Sequence, residues 1–235
     1  MLYKVSMSIT NKNICIIPAR GGSKRIPRKN VKNFLGKPII AYSIEAAINS
    51  DIFDEVMVST DDEEIAKVAE EYGAKVPFLR SVDNADDFAT TLDVLKEVLD
   101  KYKQEGYMFN VVGCIYPCAP FVTSVKLQNA YHILSNNNFD LVMPVIKFSF
   151  PIQRALTFNE NRIVFAYPEF ANSRSQDLNE HYHDAGQFYL MKIEETILKN
   201  RMVSKNSGAI IISELEGQDI DNEMDWKLAE LKYQI

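Results

Sequence analysis

Asn13-Ile14-Cys15-Ile16-Ile17-Pro18-Ala19-Arg20-Gly21-Gly22-Ser23-Lys24-Arg25-Ile26-Pro27-Arg28-Lys29-Asn30 is the stretch whose reading decides the fold. Asn13 to Ala19 is an almost continuous apolar run, the composition of a parallel strand buried on both faces. It breaks into a glycine-containing loop dense in positive charge. In open α/β sheets ligands sit beyond the carboxyl ends of strands, so this loop stands where a substrate is expected. Gly21 and Gly22 let the backbone approach a ligand and turn N–H groups inward, while Arg20, Lys24 and Lys29 or Lys32 can neutralise a polyphosphate. The spacing is neither G-x-x-x-x-G-K-[ST] nor G-x-G-x-x-G, which disfavours a P-loop NTPase or a dinucleotide enzyme. The competing reading is a basic turn that faces only water.

Strands and helices alternate on the far side of the loop. Pro38 to Ser50 reads as a helix with Pro38 in its first turn and Ile40, Ser43, Ile44, Ala47 and Ile48 on one stripe. Glu55 to Ser59 is a strand. Thr60 or Asp61 caps a helix carrying Ile65, Val68, Ala69 and Tyr72, and Gly73 ends it. The alternation continues with strand Val76 to Leu79, helix Thr91 to Glu105, strand Phe109 to Tyr116, helix Thr123 to Ser135 and strand Leu141 to Ile146. Such alternation specifies an α/β fold: a mainly parallel sheet with helices on both faces. From about Lys147 to His183 the helical period gives way to aromatic residues and prolines, with a hairpin turn at Asn159-Glu160-Asn161. This is an inserted arm, packing either against a second subunit or on its own sheet. The core resumes with strand Gln187 to Met191, helix Ile193 to Lys199, strand Ala209 to Ile212 and a final helix whose apolar positions are Met224, Leu228, Leu231 and Ile235. No repeat or linker divides the chain, so residues 1–235 are expected to form a single domain.

A chain of 235 residues with 46% hydrophobic and 25% charged content is an ordinary globular protein, not a disordered or low-complexity one. The net charge of −6 argues against a general nucleic-acid or membrane-surface binder. That sum is unevenly distributed. No acid precedes Glu45, whereas nine bases do, among them Lys4, and the remainder carries 17 bases against 32 acids. Three cysteines, Cys15, Cys114 and Cys118, lack a pairing pattern and indicate a reduced, cytoplasmic protein. Met1 to Thr10 does not resemble a secretory leader, and no stretch approaches the roughly 20 apolar residues of a membrane span.

Two further clusters can carry chemistry. Glu214 to Asp225 packs six acids into twelve residues. In an extended segment Asp219 and Asp221 project to the same side, about 7 Å apart, which suits one or two hard cations such as Mg²⁺. Asp221 or Asn222 also serves as a helix N-cap. Tyr182-His183-Asp184-Ala185-Gly186-Gln187 leads into a strand and offers hydrogen-bonding groups to a polar substrate such as a sugar. Arg80, with Asp86 or Asp87, forms a less specific loop after a strand.

Ile17 to Asn30, Val58-Ser59-Thr60-Asp61, Phe78-Leu79-Arg80, Tyr116-Pro117-Cys118-Ala119-Pro120-Phe121, His183 to Tyr189 and Asp219-Ile220-Asp221 occur in the order found in the CMP-sialic acid synthetases (acylneuraminate cytidylyltransferases), which this chain resembles from about Asn13 to Leu231. Within that family it is most similar to the pseudaminic acid cytidylyltransferase branch, through Gly-Gly-Ser-Lys-Arg, Tyr-Pro-x-Ala-Pro and His-Asp-Ala-Gly-Gln. The sialic acid branch has Gln-Pro-Thr-Ser-Pro at Tyr116 to Pro120.

The resemblance implies a Rossmann-like nucleotide-diphospho-sugar transferase fold and the conversion of CTP and an acidic nine-carbon keto-sugar to a CMP-sugar and pyrophosphate, with Mg²⁺. It implies that Arg20 and Lys24 contact the triphosphate, with Ala19, Gly21, Gly22 and Ser23 lining the nucleotide loop. Ser59, Asp61, Arg80, Tyr116 and Pro117 would border the cytidine or its ribose, and Asp219 and Asp221 would hold the metal. Asp221 thereby joins Arg20 and Lys24 as catalytic. Asp184 and Gln187 would face the sugar, Tyr182 and His183 would border it, and residues 147–183 would form a homodimer contact. Cys118 stands where the family has threonine. No residue presents itself as a general base. Alternatives are an N-acylneuraminate or legionaminate cytidylyltransferase, a nucleotide-sugar glycosyltransferase, or a non-catalytic CTP-binding regulator.

Overall fold

A computed structural model describes residues 12–85 and 89–235. Lys4, the Met1 to Thr10 segment, Asp86 and Asp87 lie outside them. In chain order the elements are β1 (Asn13–Pro18), β2 (Asn33–Phe34), β3 (Lys37–Pro38), α1 (Ile39–Asn49), β4 (Glu55–Ser59), α2 (Glu63–Glu71), α3 (Thr91–Gln104), β5 (Val111–Ile115), α4 (Ser124–Asn136) and β6 (Leu141–Lys147). There follow β7 (Leu156–Asn159), β8 (Arg162–Phe165), β9 (Tyr182–Asp184), β10 (Phe188–Lys192), β11 (Ser207–Ile212) and α5 (Glu223–Tyr233).

The apolar run at Asn13 becomes the central β1, parallel to β4 on one side and β5 on the other. The main sheet runs β11-β6-β10-β5-β1-β4, all parallel except β10. Alternate β1 residues enter opposite cores. Cys15 and Ile17 join Ile40, Ile44, Ile65, Leu127 and Leu134 of α1, α2 and α4, whereas Ile14 and Ile16 meet Leu95, Val98 and Tyr102 of α3. This is the two-sided burial that a parallel strand requires. Capping fixes the helix starts. Asp62 accepts the Ile65 N–H at 3.0 Å for α2, Thr90 and Asp93 form a capping box on α3, and Asn222 and Asp225 form one on α5.

β9 and β10 are one bent strand. Val145 pairs with Asp184 and Val142 with Leu190, so three residues on the bent strand have no counterpart on β6. The bend is at Gly186, with φ +62°, whose N–H donates to Asp184 Oδ1 at 2.8 Å. Between β6 and β9 the arm carries β7 and β8 as a separate two-stranded hairpin. Its turn residues Glu160 and Asn161 both have positive φ, 47° and 61°, matching the expected hairpin at Asn159 to Asn161.

Several expectations are corrected. Val76 to Leu79 is not a strand: Lys75 alone bridges Met57, because Pro77 has no N–H with which to extend the ladder. Ile193 to Lys199 forms turns and a 3-10 turn at Ile197–Lys199, since its buried residues, Thr196 and Ile197, are neighbours rather than one turn apart, and seven residues are too few to sustain a helix on them. Asp62 caps α2 in place of Thr60 or Asp61, and Pro38 is the N-cap of α1 rather than part of its first turn. The largest correction concerns α5. Met224 and Leu231 are 71% and 62% exposed, whereas Trp226 is 3% exposed, edge-on to Phe34 at 5.5 Å. One indole buries more apolar area than two aliphatic side chains gain from partial cover, so the aromatic residue sets the rotation of the helix.

Candidate functional site

The basic loop leaves β1 against the turn that ends β4. The Ala19 N–H donates to Ser59 O at 2.9 Å, continuing the strand pairing, and the Gly21 N–H donates to Asp61 Oδ1 at 2.9 Å. A Cβ on Gly21 would lie 2.7 Å from Asp62 Oδ2, so this position needs glycine for close approach, whereas Gly22 faces open space. The Ser23 N–H donates to Gly21 O at 3.0 Å. The Gly21 and Ser23 amides are therefore engaged within the protein, which corrects the expectation of an inward-pointing N–H at Gly21; the side chains of Arg20, Lys24, Arg25 and Lys29 carry positive charge at the cavity.

Asn30 was not singled out by its residue type, yet it is buried and donates from Nδ2 to Arg20 O at 2.8 Å. Cys118 in turn donates from Sγ to Asn30 Oδ1 at 3.2 Å, and burial pushes its thiol up to about 12. The chain Cys118–Asn30–Arg20 ties the Tyr116–Pro120 block to the loop. Only pairing in space could reveal it.

A small third core brings the chain ends together: Ile26 of the loop, Phe34, Phe121, Ile220, Trp226 and Ala229 pack as one group. Ile220 is 2% exposed, so its neighbours Asp219 and Asp221 are directed away from the core, as the extended D-x-D pattern predicts. Lys29 Nζ donates to Ile220 O at 2.8 Å, and Arg25 pairs with Asp221 at 2.7 Å. Lys32 pairs with Glu223 at 2.8 Å and lies 4.6 Å from the centre of the Trp226 ring. Asp219 is raised above the usual carboxylate range, first by the protein packed around it and then by the Asp221 charge.

Between these ends lies a cavity of about 420 Å³. The loop lines it with Arg20, Ser23, Lys24, Arg25 and Lys29; Asn30, Pro117 and Asp221 complete the wall. Arg20, Lys24 and Asp221, three residues from opposite ends of the sequence, thus meet around one space.

Ser59, Asp61 and Arg80 form an adjoining group. Arg80 donates to Ser59 Oγ at 3.1 Å and Ser59 O at 2.5 Å, and its own N–H to Thr60 O at 2.8 Å. Burial lowers its affinity for a proton, partly offset by the Asp61 charge. Behind it stands Glu97 of α3, a residue that sequence reasoning missed. It accepts from the Ser81 N–H and Oγ at 2.9 and 2.8 Å, from Asn84 at 2.5 Å and from Lys101 at 2.7 Å. Burial alone would raise the Glu97 carboxyl, but these donors outweigh it and hold it at about 2. Tyr116 donates its N–H to Gln187 O at 2.8 Å and packs edge-on against Tyr189, with ring centres 5.5 Å apart.

The Tyr182 to Gln187 group does not line the cavity. Tyr182 donates to Glu180 at 2.9 Å, and exposed His183 lies against Phe148 with ring centres 4.9 Å apart. Asp184 uses both oxygens, accepting from Gly186 N–H at 2.8 Å and Tyr189 Oη at 2.6 Å. Gln187 is buried, with Nε2 on Glu216 O at 2.6 Å and Oε1 without a hydrogen-bond partner.

Known proteins resemble this chain in sequence and in fold. Residues 14–212 match the family model described as cytidylyltransferase. A Campylobacter jejuni pseudaminic acid cytidylyltransferase is 42% identical over 225 residues, 95% of this chain and 97% of its own. A Legionella pneumophila CMP-N,N'-diacetyllegionaminic acid synthase is 33% identical, covering 92% of this chain and 94% of that protein. A solved CMP:2-keto-3-deoxy-manno-octonic acid synthetase complexed with CTP superposes with a TM-score of 0.68 at 17% identity, over 95% of this chain and 100% of that one; the two share the fold.

Proposed function

The chain belongs to the cytidylyltransferase family and is a nucleotidyltransferase, and on that premise we propose that it joins CMP from CTP to pseudaminic acid, releasing pyrophosphate. The observation that carries this reading is the cavity in which Arg20, Lys24 and Lys29 face Asp221. The sugar's anomeric hydroxyl attacks the α-phosphorus as pyrophosphate leaves, so negative charge grows on the leaving oxygens. In this reading Arg20 and Lys24, both on the cavity wall, bind those oxygens and offset that charge, and Asn30 holds the Arg20 carbonyl in register. Pro117 closes the cavity wall, and Arg80 with Ser59, Asp61 and Tyr116 extends the site toward the nucleoside.

Asp219 and Asp221 fit a Mg²⁺ ion: both offer hard carboxylate oxygens, and burial together with the Asp221 charge raises the Asp219 carboxyl, a cost that a cation would relieve, with Arg25 giving up its contact on Asp221. Among the described residues no group of three or more His, Cys, Asp or Glu suited to a metal occurs, so phosphate oxygens and water would complete the coordination. When bound, the ion would neutralise phosphate charge. Asp184 and Gln187 act in this reading by holding the bend before β10, while exposed His183 and Tyr182 keep surface for the sugar.

The whole chain is read as one catalytic domain with an arm that makes a homodimer. On one face of the hairpin, Leu156 pairs with Phe165 and Phe158 with Ile163, and Phe158 is 72% exposed. Such a face on an isolated two-stranded sheet calls for a cover, and a second copy supplies it. The free thiols of Cys15, Cys114 and Cys118 suit a reducing cytoplasm, and among the described residues no helix is long and apolar enough to cross a membrane.

The test is pyrophosphate release from CTP with pseudaminic acid, N-acetylneuraminic acid and a diacetyllegionaminic acid as separate acceptors. Turnover should be fastest with pseudaminic acid, fall about a hundredfold in Asp221→Ala at saturating Mg²⁺, and stop with a chelator. Preference for another acceptor would overturn the sugar assignment, and absence of pyrophosphate with all three would overturn the reaction.

A further inference from the structure

Arg28 belongs to the basic loop but does not line the cavity. Its guanidinium grips Asp62 with both outer nitrogens, Nη1 to Oδ2 at 2.5 Å and Nη2 to Oδ1 at 2.8 Å, and also contacts Glu64. The backbone at Arg28 adopts φ 54°, ψ 32°, a left-handed conformation unusual for a residue with a side chain. From there its carbonyl accepts the N–H groups of Val31 and Lys32, each at 3.0 Å, so the loop turns back on itself at this residue.

Asp62 has two further tasks. It caps α2, and its side chain forms the wall on which Gly21 rests, leaving no room for a Cβ there. The adjacent Asp61 takes the Gly21 N–H. The turn after β4 therefore holds the start of the loop by contact and hydrogen bond, and Arg28 reaches across from the loop's far end to close a ring: Gly21, Asp62, Arg28 and the chain between.

We infer that Arg28 is a positioning residue for the nucleotide: by gripping Asp62 it fixes Gly21 to Lys24, and through them sets Arg20 and Lys24 against the triphosphate. A fork-to-carboxylate pair fixes direction as well as distance, which a single-point ammonium does not. Arg28 holds the Asp62 carboxyl down to about 2, so the grip persists at every pH suited to assay. The inference rests on the proposed use of CTP, and the experiment separates the two.

Arg28→Met, Arg28→Lys, Asp62→Asn and the Arg28→Met/Asp62→Asn double variant are compared by steady-state pyrophosphate release and by calorimetric titration with CTP. Asn remains a good helix cap, so Asp62→Asn removes the ion pair while sparing α2. KM for CTP should rise about tenfold in Arg28→Met and Asp62→Asn, less in Arg28→Lys, and kcat should fall in the same order, with KM for the sugar within about twofold of wild type. The double variant should match the single ones, because both lose the same interaction. Unchanged CTP affinity in Arg28→Met and Asp62→Asn, or losses that add in the double variant, overturns the inference. Should Arg28→Met not fold, Asp62→Asn and Arg28→Lys decide the matter. Should wild type bind CTP without releasing pyrophosphate, the reaction assignment fails, and the calorimetric comparison still decides the role of Arg28.

Discussion

Replacing Glu97 by Gln should weaken both the fold and the nucleotide site in a way that pH reveals. In the native chain this carboxylate accepts hydrogen bonds from Ser81, Asn84 and Lys101, and holds the turn that immediately follows Arg80. Its carboxyl titrates at about 2 rather than at the ordinary value of 4.5, although burial pushes the other way. That difference corresponds to roughly 3 kcal/mol of preference for the ionised form in the folded state. Lys101 is one-third exposed, so part of its contribution is screened, and about 2–3 kcal/mol is the expected loss at neutral pH. Because the folded value is depressed, the stabilisation is fully present above the unfolded value near 4.5 and is lost as pH falls toward 2. Urea unfolding of wild type and Glu97→Gln at pH 7 and near pH 3 reads this directly. The gap should be about 2–3 kcal/mol at pH 7 and about half that near pH 3. KM for CTP should also rise, since Arg80 loses the support behind it. A gap below about 0.5 kcal/mol, or one of equal size at both pH values, would refute the reasoning.

Gly21→Ala places a Cβ 2.7 Å from Asp62 Oδ2, so the loop must shift. KM for CTP should rise about tenfold while the melting temperature changes by only a few degrees, as steady-state kinetics and calorimetry will show. Trp226→Ala should cost about 3–5 kcal/mol in urea unfolding, whereas Leu231→Ala, on the exposed side of α5, should stay within about 0.5 kcal/mol. Phe158→Glu on the hairpin should yield a monomer in sedimentation velocity, with an unfolding midpoint below that of wild type and independent of protein concentration; a persistent dimer would place the contact elsewhere.

The sheet was legible because its signal is local. Asn13 to Ala19 has no polar break, the helices α2, α3 and α4 carry their own capping residues, and each can be assigned without knowledge of its neighbours. The failures share the opposite cause. The stripe Met224, Leu228, Leu231 and Ile235 has a valid helical spacing, but which side of α5 is buried depends on Phe34 and Tyr42, nearly two hundred residues earlier. Val76 to Leu79 has strand composition, but Pro77 leaves only the Lys75 bridge. In the site, the basic loop and the D-x-D pair were visible as types of residue. Asn30, Glu97 and the Arg28–Asp62 grip were not, because an Asn, a Glu or an Arg acquires a role only through the partner that the fold brings to it.

That distinction changes the meaning of the uneven charge. The acid-free segment before Glu45 invites the view that its bases all await an anion. The fold assigns most of them partners from the acidic remainder. Arg28 takes Asp62 and Glu64, Lys32 takes Glu223, Lys37 takes Glu45, Arg25 takes Asp221, and Lys29 takes the Ile220 carbonyl. A loop held by contacts to three separate parts of the chain loses little further freedom when a triphosphate arrives, so more of the binding interaction remains as affinity. Segregating the charges along the sequence thus serves two ends: it leaves the loop's bases no acid within the loop to pair with, and it makes their positions depend on the completed fold. A loop whose bases were paired locally would neutralise the same charge without bringing Asp221 to the cavity.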